Sequence, residues 1–440
     1  MKIAILGYGM EGHSNYKYYR NKYPDAEITI FDTKDELTDV PDGAKVVLGE
    51  DAFGKVKGFD LILRSPSIPP REIAQTDHHW SATREFMRQC PAPIIGVTGS
   101  KGKGTTCSFI YEILKTHFAD QPDRHIHLMG NIGVPALDVL PKVREDDVVV
   151  FEMSSFQLWD CTQSPSIAVI TMIEPDHLNV HKDYQEYVNA KLNILYYQHD
   201  GNTAVYNQEE ADPELAELIG HIITTTQADD MPYPYRVGAH FDEENLYMGE
   251  EVICPTADIK LPGRHNLLNA CAAIAATWEI TGHDVAAMAK GLAATEGLPH
   301  RLKFVREVNG TRFYDDSIAT TPGSAIAAIK AFAEPKVLIL GGSDKGADYH
   351  ELGKVIDDGG VRTVLAIGAN RAKVAEQITA ETDTPVVQIS STSMDEIVDT
   401  AYDLANPGDV VIMSPAAASF DMFTSYVDRG QHFVDAVNKL

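Results

Sequence analysis

Cations are scarce in this sequence. Its 440 residues carry 37 Lys and Arg against 64 Asp and Glu, a formal charge of −27. A surface of that sign repels phosphodiester backbones and anionic headgroups, and no basic tract offsets it, so neither nucleic acid nor membrane is expected as a partner. Cysteine is sparse too. Cys90, Cys107, Cys161, Cys254 and Cys271 show no metal-type spacing. An odd number in a long chain argues against a disulfide framework or structural zinc, and reduced thiols are expected. No apolar run reaches the roughly 18 residues of a membrane span, and strand-like residues begin at once with Met1-Lys-Ile-Ala-Ile-Leu6. These features predict a cytoplasmic protein. Low-complexity tracts and solenoid-type repeats are also missing. What remains is ordinary globular material, 44% apolar and 23% charged, enough for about three domains of ~150 residues.

The most informative stretch is Pro93-Ala-Pro-Ile-Ile-Gly-Val-Thr-Gly-Ser-Lys-Gly-Lys-Gly-Thr-Thr106. A β-branched run ends in a glycine-rich turn, and from Thr105 onward Phe109, Ile110, Ile113 and Leu114 fall on one helical face. Strand, loop and helix in that order form a phosphate cradle. Gly99, Ser100, Lys101, Gly102 and Gly104 let backbone N–H groups converge, the helix start adds a positive dipole end, and Lys103 adds a cation. A nucleoside triphosphate, ATP, is the expected guest. The usual P-loop spacing is imperfect: Val97 stands at the first glycine position, and Gly104 follows the lysine in place of Ser or Thr. The hydroxyl for Mg²⁺ therefore falls to Thr105 or Thr106.

The whole chain reads as α/β with three domains. Residues 1–91 open with a strand, then Gly7-Tyr-Gly-Met-Glu-Gly12 and a helical stretch, and Asp32 closes the next strand. This predicts a small Rossmann-like lobe in which Gly7, Gly9, Gly12 and Asp32 face a nucleotide; a tight turn with no ligand is the alternative. Residues 92–298 alternate apolar strands (148–151, 167–171, 203–206) with amphipathic helices, as a parallel sheet covered on both faces requires. Asn245 to Lys260 differs, alternating like a hairpin around Gly249-Glu250. Residues 299–440 predict a second Rossmann-like lobe, with strands near 336–340, 363–367, 386–389 and 409–413.

Three places in the central domain could carry chemistry. Glu152 ends an apolar strand on the edge where the glycine loop lies, and a carboxylate there can hold Mg²⁺; Ser154 and Gln157 follow it. His177, beside Asp176, could be a metal ligand, a base or a satisfied partner of that carboxylate. Lys191 sits at the edge of an apolar helical stripe formed by Tyr184, Tyr187, Val188, Leu192 and Leu195. It either snorkels or is a desolvated amine open to modification.

Taken together, Gly96 to Thr106, Gly130-Asn-Ile-Gly-Val-Pro135, Glu152-Met-Ser-Ser-Phe-Gln-Leu158, Asp176-His177, Ala190-Lys191-Leu192, Gly263-Arg-His-Asn-Leu-Leu-Asn269, Pro299-His-Arg301 and Tyr314-Asp-Asp-Ser317 resemble the signatures of the Mur ligases, in order and through all three domains. Those enzymes form amide bonds with ATP in peptidoglycan precursor synthesis. Thr320-Thr-Pro322, Leu340-Gly-Gly-Ser-Asp-Lys345 and Ser414-Pro-Ala-Ala-Ala-Ser419 are most similar to the members that join D-glutamate to UDP-N-acetylmuramoyl-L-alanine.

The resemblance implies that Lys103 contacts the β- and γ-phosphates and that Glu152 with Thr105 or Thr106 holds one Mg²⁺. Lys191, carbamylated, and His177 would serve a second. Asn266 and Asn269 would face adenine, and Arg301 and Asp316 the phosphate and ribose. The glycine turn and Asp32 would take the UDP end of the acceptor, and Asn131, Ser154 and Gln157 its muramoyl part. Thr320, Lys345 and Ser419 would hold the amino acid's carboxylates. Two departures stand out: Ile318 follows Asp316-Ser317 where lysine is usual, and Gly104 resembles the sister folylpolyglutamate synthases. A folate-type ligase and a simple ATPase are the competing functions, and a monomer is expected.

Overall fold

A computed structural model gives the fold. It describes the chain apart from residues 38, 74–78, 131–133, 179, 208–221, 228–237, 297–298 and 345, and describes 207 and 222–227 by backbone alone. The chain forms two compact units. One comprises Met1–Asp258 and Leu267–Ala294; the other comprises Ile259–Asn266 and Thr295–Leu440.

The first unit holds two sheets. β1 (Lys2–Leu6), β2 (Glu27–Asp32), β3 (Lys45–Leu48), β4 (Leu61–Arg64) and β5 (His79–Ser81) form a parallel sheet in the order β3-β2-β1-β4-β5. The turn after β1 is tight enough to require glycine: a Cβ on Gly12 would stand 2.2 Å from the Gly7 carbonyl oxygen.

The second sheet has nine strands, in the order β14-β13-β12-β11-β10-β9-β6-β8-β7. Its centre is β6 (Ile94–Thr98), flanked by β9 (Ile167–Ile170) and β8 (Val148–Glu152), beyond which lies β7 (Ile126–Gly130). Every residue of β6 and β8 is buried, because helices cover both faces of a parallel sheet. On the other side come β10 (Thr203–Asn207), β11 (Ile222–Gln227) and β12 (Ala239–Phe241). The expected hairpin is β13 (Asn245–Met248) with β14 (Glu251–Pro255), turning at Gly249-Glu250. It continues the main sheet through an antiparallel pairing of β13 with β12.

The helix after β6 runs Lys103–His117, two residues earlier than its apolar pattern indicated, and buries Phe109, Ile110, Ile113 and Leu114 as expected. The helix Val285–Ala294 packs against it at Gly291, where a Cβ would come 2.5 Å from the Ile113 Cα. Only glycine permits that approach.

The second unit is built on β15 (Lys303–Val308), β16 (Thr311–Asp315), β17 (Lys336–Gly341), β18 (Val361–Ile367), β19 (Val386–Gln388) and β20 (Val410–Met413), ordered β15-β16-β20-β17-β18-β19. β15 and β16 are an antiparallel hairpin that the apolar pattern did not reveal; the other neighbours are parallel. Its signal was Asn309-Gly310, both with positive φ, as a two-residue hairpin loop demands. Among the described residues no helix is long and apolar enough to cross a membrane. All five cysteines are free thiols.

Candidate active site

The loop 99–102 joins β6 to a helix that receives no hydrogen bond from a capping side chain. Its cap residue is Gly102, at φ 83°. The first N–H groups of such a helix are directed at whatever lies above the loop. Both loop glycines are required: Gly99 has φ 150°, and a Cβ there would stand 1.9 Å from Thr171 Oγ1, while one on Gly102 would stand 2.4 Å from Asn269 Oδ1. Thr105 and Thr106 are buried in the first turn, and Thr106 Oγ1 donates to Asn269 Oδ1 at 3.3 Å. Lys103 Nζ donates to the carbonyls of Gly99 and Ser100, so its charge lies over the loop.

Segments distant in sequence surround this loop. Glu152 ends β8 opposite Val97 and is buried. Ser100 Oγ donates to the Glu174 carbonyl at 2.8 Å and lies 2.7 Å from the Tyr187 hydroxyl, and Lys101 pairs with Glu174. Lys191, on the helix Tyr184–Tyr196, is only 2% exposed, so it does not snorkel. Its Nζ donates to the Gly99 carbonyl at 2.6 Å and lies 4.6 Å from the centre of the Tyr187 ring. Burial, reinforced by the Lys103 cation, holds its pKa down at about 6 against the opposing pull of Asp176 and Glu152. At neutral pH this amine is mostly uncharged. His177 adopts φ 54°, with its Nε2 3.5 Å from Asp176 Oδ2, and burial lowers its pKa.

Thus Gly99 to Thr106, Glu152, His177, Lys191 and Asn269 gather around one loop. Other candidates are engaged locally. Asp32 accepts the backbone N–H groups of Tyr8 (2.7 Å) and Lys34 (3.0 Å), so it secures the glycine turn of the first sheet. Ser154 and Gln157 form a reciprocal capping box on the short helix Ser155–Leu158. In the second unit Asp316 is buried and accepts from the Leu302 N–H and the Ser414 hydroxyl, and burial raises its pKa to about 7. Asn266 donates to the Pro262 carbonyl, Thr320 is exposed and Ser419 is buried. Asn131 and Lys345 lie outside the described residues.

Three buried groups carry no signal in the local sequence. His181 is packed between Phe156, Trp159 and Tyr187, with Nε2 3.1 Å from Ser155 Oγ. Arg64, at the end of β4, forms a buried ion pair with Asp160 at 2.6 Å and so links the two sheets of the first unit. Arg429 lies beneath the loops of the third sheet. Each is visible only through a partner roughly a hundred residues away or through a neighbouring aromatic cage.

A model of the Mur ligase middle domain matches residues 97–277, and one of the Mur ligase, glutamate ligase domain matches residues 300–417. The chain is 36% identical to the UDP-N-acetylmuramoylalanine–D-glutamate ligase of Acetivibrio thermocellus, over 100% of its own length and 96% of that protein. It is 34% identical to the protein of the same name from Clostridium acetobutylicum, with the same coverage. The fold is similar to the crystal structure of UDP-N-acetylmuramate-alanine ligase from Thermotoga maritima, with a TM-score of 0.60 at 16% identity over 100% of this chain and 99% of that one. With relatives of that identity aligned end to end, this chain belongs to the Mur ligase family.

Proposed function

We propose that this protein is an ATP-dependent ligase that adds D-glutamate to UDP-N-acetylmuramoyl-L-alanine in peptidoglycan precursor synthesis. The observation that carries the reading is the convergence of Glu152, His177 and a mostly neutral Lys191 on a glycine loop that starts an uncapped helix. That arrangement suits a transferring phosphoryl group, and full-length likeness to D-glutamate ligases supports the choice of substrates.

In this reading the acceptor's terminal carboxylate attacks the γ-phosphorus of ATP, the bond to ADP breaks, and an acyl phosphate forms. The amine of D-glutamate then attacks the acyl carbon, inorganic phosphate leaves, the amine loses a proton, and an amide remains. Lys103 and the N–H groups of 99–106 neutralise the phosphate oxygens. Two Mg²⁺ ions are expected. Glu152 with Thr105 or Thr106 would hold one, and His177 with Lys191 the other, screening charge between nucleophile and phosphate. Among the described residues no three His, Cys, Asp or Glu side chains are gathered as a metal cluster. Mg²⁺ takes one or two carboxylates and completes its shell with phosphate and water. Carbon dioxide would convert Lys191 Nζ to a carbamate with loss of a proton, turning an amine into an oxygen ligand.

The lobes 1–91, 92–298 and 299–440 would serve acceptor, ATP and amino acid. Gly7, Gly9, Gly12, Asp32, Asn131, Ser154 and Gln157 fall to the acceptor, Asn266, Asn269, Arg301 and Asp316 to the nucleotide, and Thr320, Lys345 and Ser419 to D-glutamate. The reaction would run in the cytoplasm, on a monomer. The test is ADP release with UDP-N-acetylmuramoyl-L-alanine and a panel of amino acids. D-Glutamate should support release; strong release with glycine or L-lysine but none with D-glutamate would refute the substrate.

A further inference from the structure

Three loops at the carboxyl edge of the six-stranded sheet meet on one buried guanidinium. The strand order reverses between β20 and β17, and in open α/β sheets ligands bind in the crevice at such a reversal. The loops after these strands are stitched together there: the Ser343 N–H donates to the Ala418 carbonyl at 2.8 Å and the Gly341 N–H to the Pro415 carbonyl at 2.7 Å. Gly342 sits so close that a Cβ would stand 2.2 Å from the Ala418 oxygen. The loop after β16 joins them through the Ala416 N–H, which donates to the Ala319 carbonyl at 2.8 Å.

Arg429, on the helix Tyr426–Val437, rises into this junction and is 1% exposed. Its Nε donates to Ser317 Oγ at 3.0 Å, Nη2 to the Ser317 carbonyl at 2.8 Å and Nη1 to the Ala417 carbonyl at 3.0 Å. Nη1 also lies 3.2 Å from where a Cβ on Gly342 would stand. One planar fork therefore bonds to the loops after β16 and β20 and lies beside the loop after β17. Among the described residues no carboxylate forms an ion pair with it; Asp315 is engaged with His300 and Asp421 with Ser343 and Ala369. Burying a charge is costly where apolar packing would hold loops as well, so the guanidinium does something that packing does not. It ties the backbone at Ser317 to that at Ala417, the segments that run into Thr320 and Ser419.

We propose that Arg429 is a positioning residue for the incoming amino acid: by clamping Ser317 and Ala417 it sets the separation of the loops that receive the amino acid's carboxylates. This rests on the function proposed above. The test uses the full chain and steady-state ADP release, with the melting temperature measured alongside. Arg429→Lys keeps the charge but cannot span both carbonyls and the hydroxyl, and should raise KM for D-glutamate roughly tenfold or more, the loss of a charge-assisted hydrogen bond, while KM for ATP stays within about twofold. Ser317→Ala, which removes one of the three acceptors of Arg429 together with the hydroxyl's own bond to the Tyr426 carbonyl, should raise the same KM by a smaller factor. An unchanged D-glutamate KM in folded Arg429→Lys, or equal rises for D-glutamate and ATP, overturns the proposal. Where Arg429→Lys fails to fold, an unchanged KM in Ser317→Ala does so. If the wild-type protein uses another amino acid, the D-glutamate assignment falls, and the same KM comparison made with that amino acid still judges the clamp.

Discussion

Lys191 yields the sharpest prediction. An ordinary lysine with pKa 10.5 is about 0.1% neutral at pH 7.5; with pKa lowered to about 6 by burial and by Lys103 it is about 97% neutral. The structure thus enriches the nucleophilic amine roughly a thousandfold, and carbamate formation needs that amine. Below pH 6 the neutral fraction falls about tenfold per unit; above pH 7 it is nearly constant. The same shift makes Lys191 costly to the fold at low pH. The unfolded chain holds this proton up to about pH 10.5 and the folded chain only up to about 6, so its contribution to stability rises with pH across that window. With ¹³C-labelled bicarbonate, a carbamate carbon resonance should appear in the wild-type protein with a midpoint near pH 6 and be lost in Lys191→Ala. Turnover of that variant should fall by about three orders of magnitude or more, as for loss of a charge-stabilising group from a phosphoryl-transfer site, and recover in part with added formate or acetate. Absence of the resonance at pH 8 together with near-normal turnover in Lys191→Ala would refute the reasoning.

Three further outcomes are expected. Lys103→Ala should lose ATP-dependent product by about a hundredfold or more while calorimetry still detects binding of the UDP-linked acceptor; unaltered turnover counts against the phosphate assignment. Gly102→Ala forces a side chain into φ 83° and toward Asn269, and should cost about 1–3 kcal/mol in chemical denaturation together with weakened ATP binding; a neutral result would mean that the loop is not held as described. Arg64→Met strands Asp160 and the carbonyls of Pro66, Ile68 and Phe156, for an expected loss of about 3–5 kcal/mol. A loss below about 1 kcal/mol would show the buried pair to be dispensable.

The sequence alone determined what depends on neighbours along the chain. β-Branched runs such as 94–98 and 148–152 name buried parallel strands because both faces must be apolar. A glycine loop between strand and helix predicts a phosphate cradle because the geometry of such a loop is set within a dozen residues. Even Lys191 could be singled out, by its place on the margin of an apolar stripe. Whether that lysine snorkelled or was buried could not be read, since the answer lies in the Gly99 carbonyl, 92 residues away. The same holds for Asp32, whose oxygens turn out to hold backbone N–H groups, for the hairpin that extends the nine-stranded sheet, and for Arg64, His181 and Arg429. Burial of a charge is decided by everything that packs around it, and its partners come from segments whose meeting is a property of the fold. Local pattern marked most of the strands and helices; only tertiary packing decided which side chains lose their water, and with it which of them acquire altered chemistry.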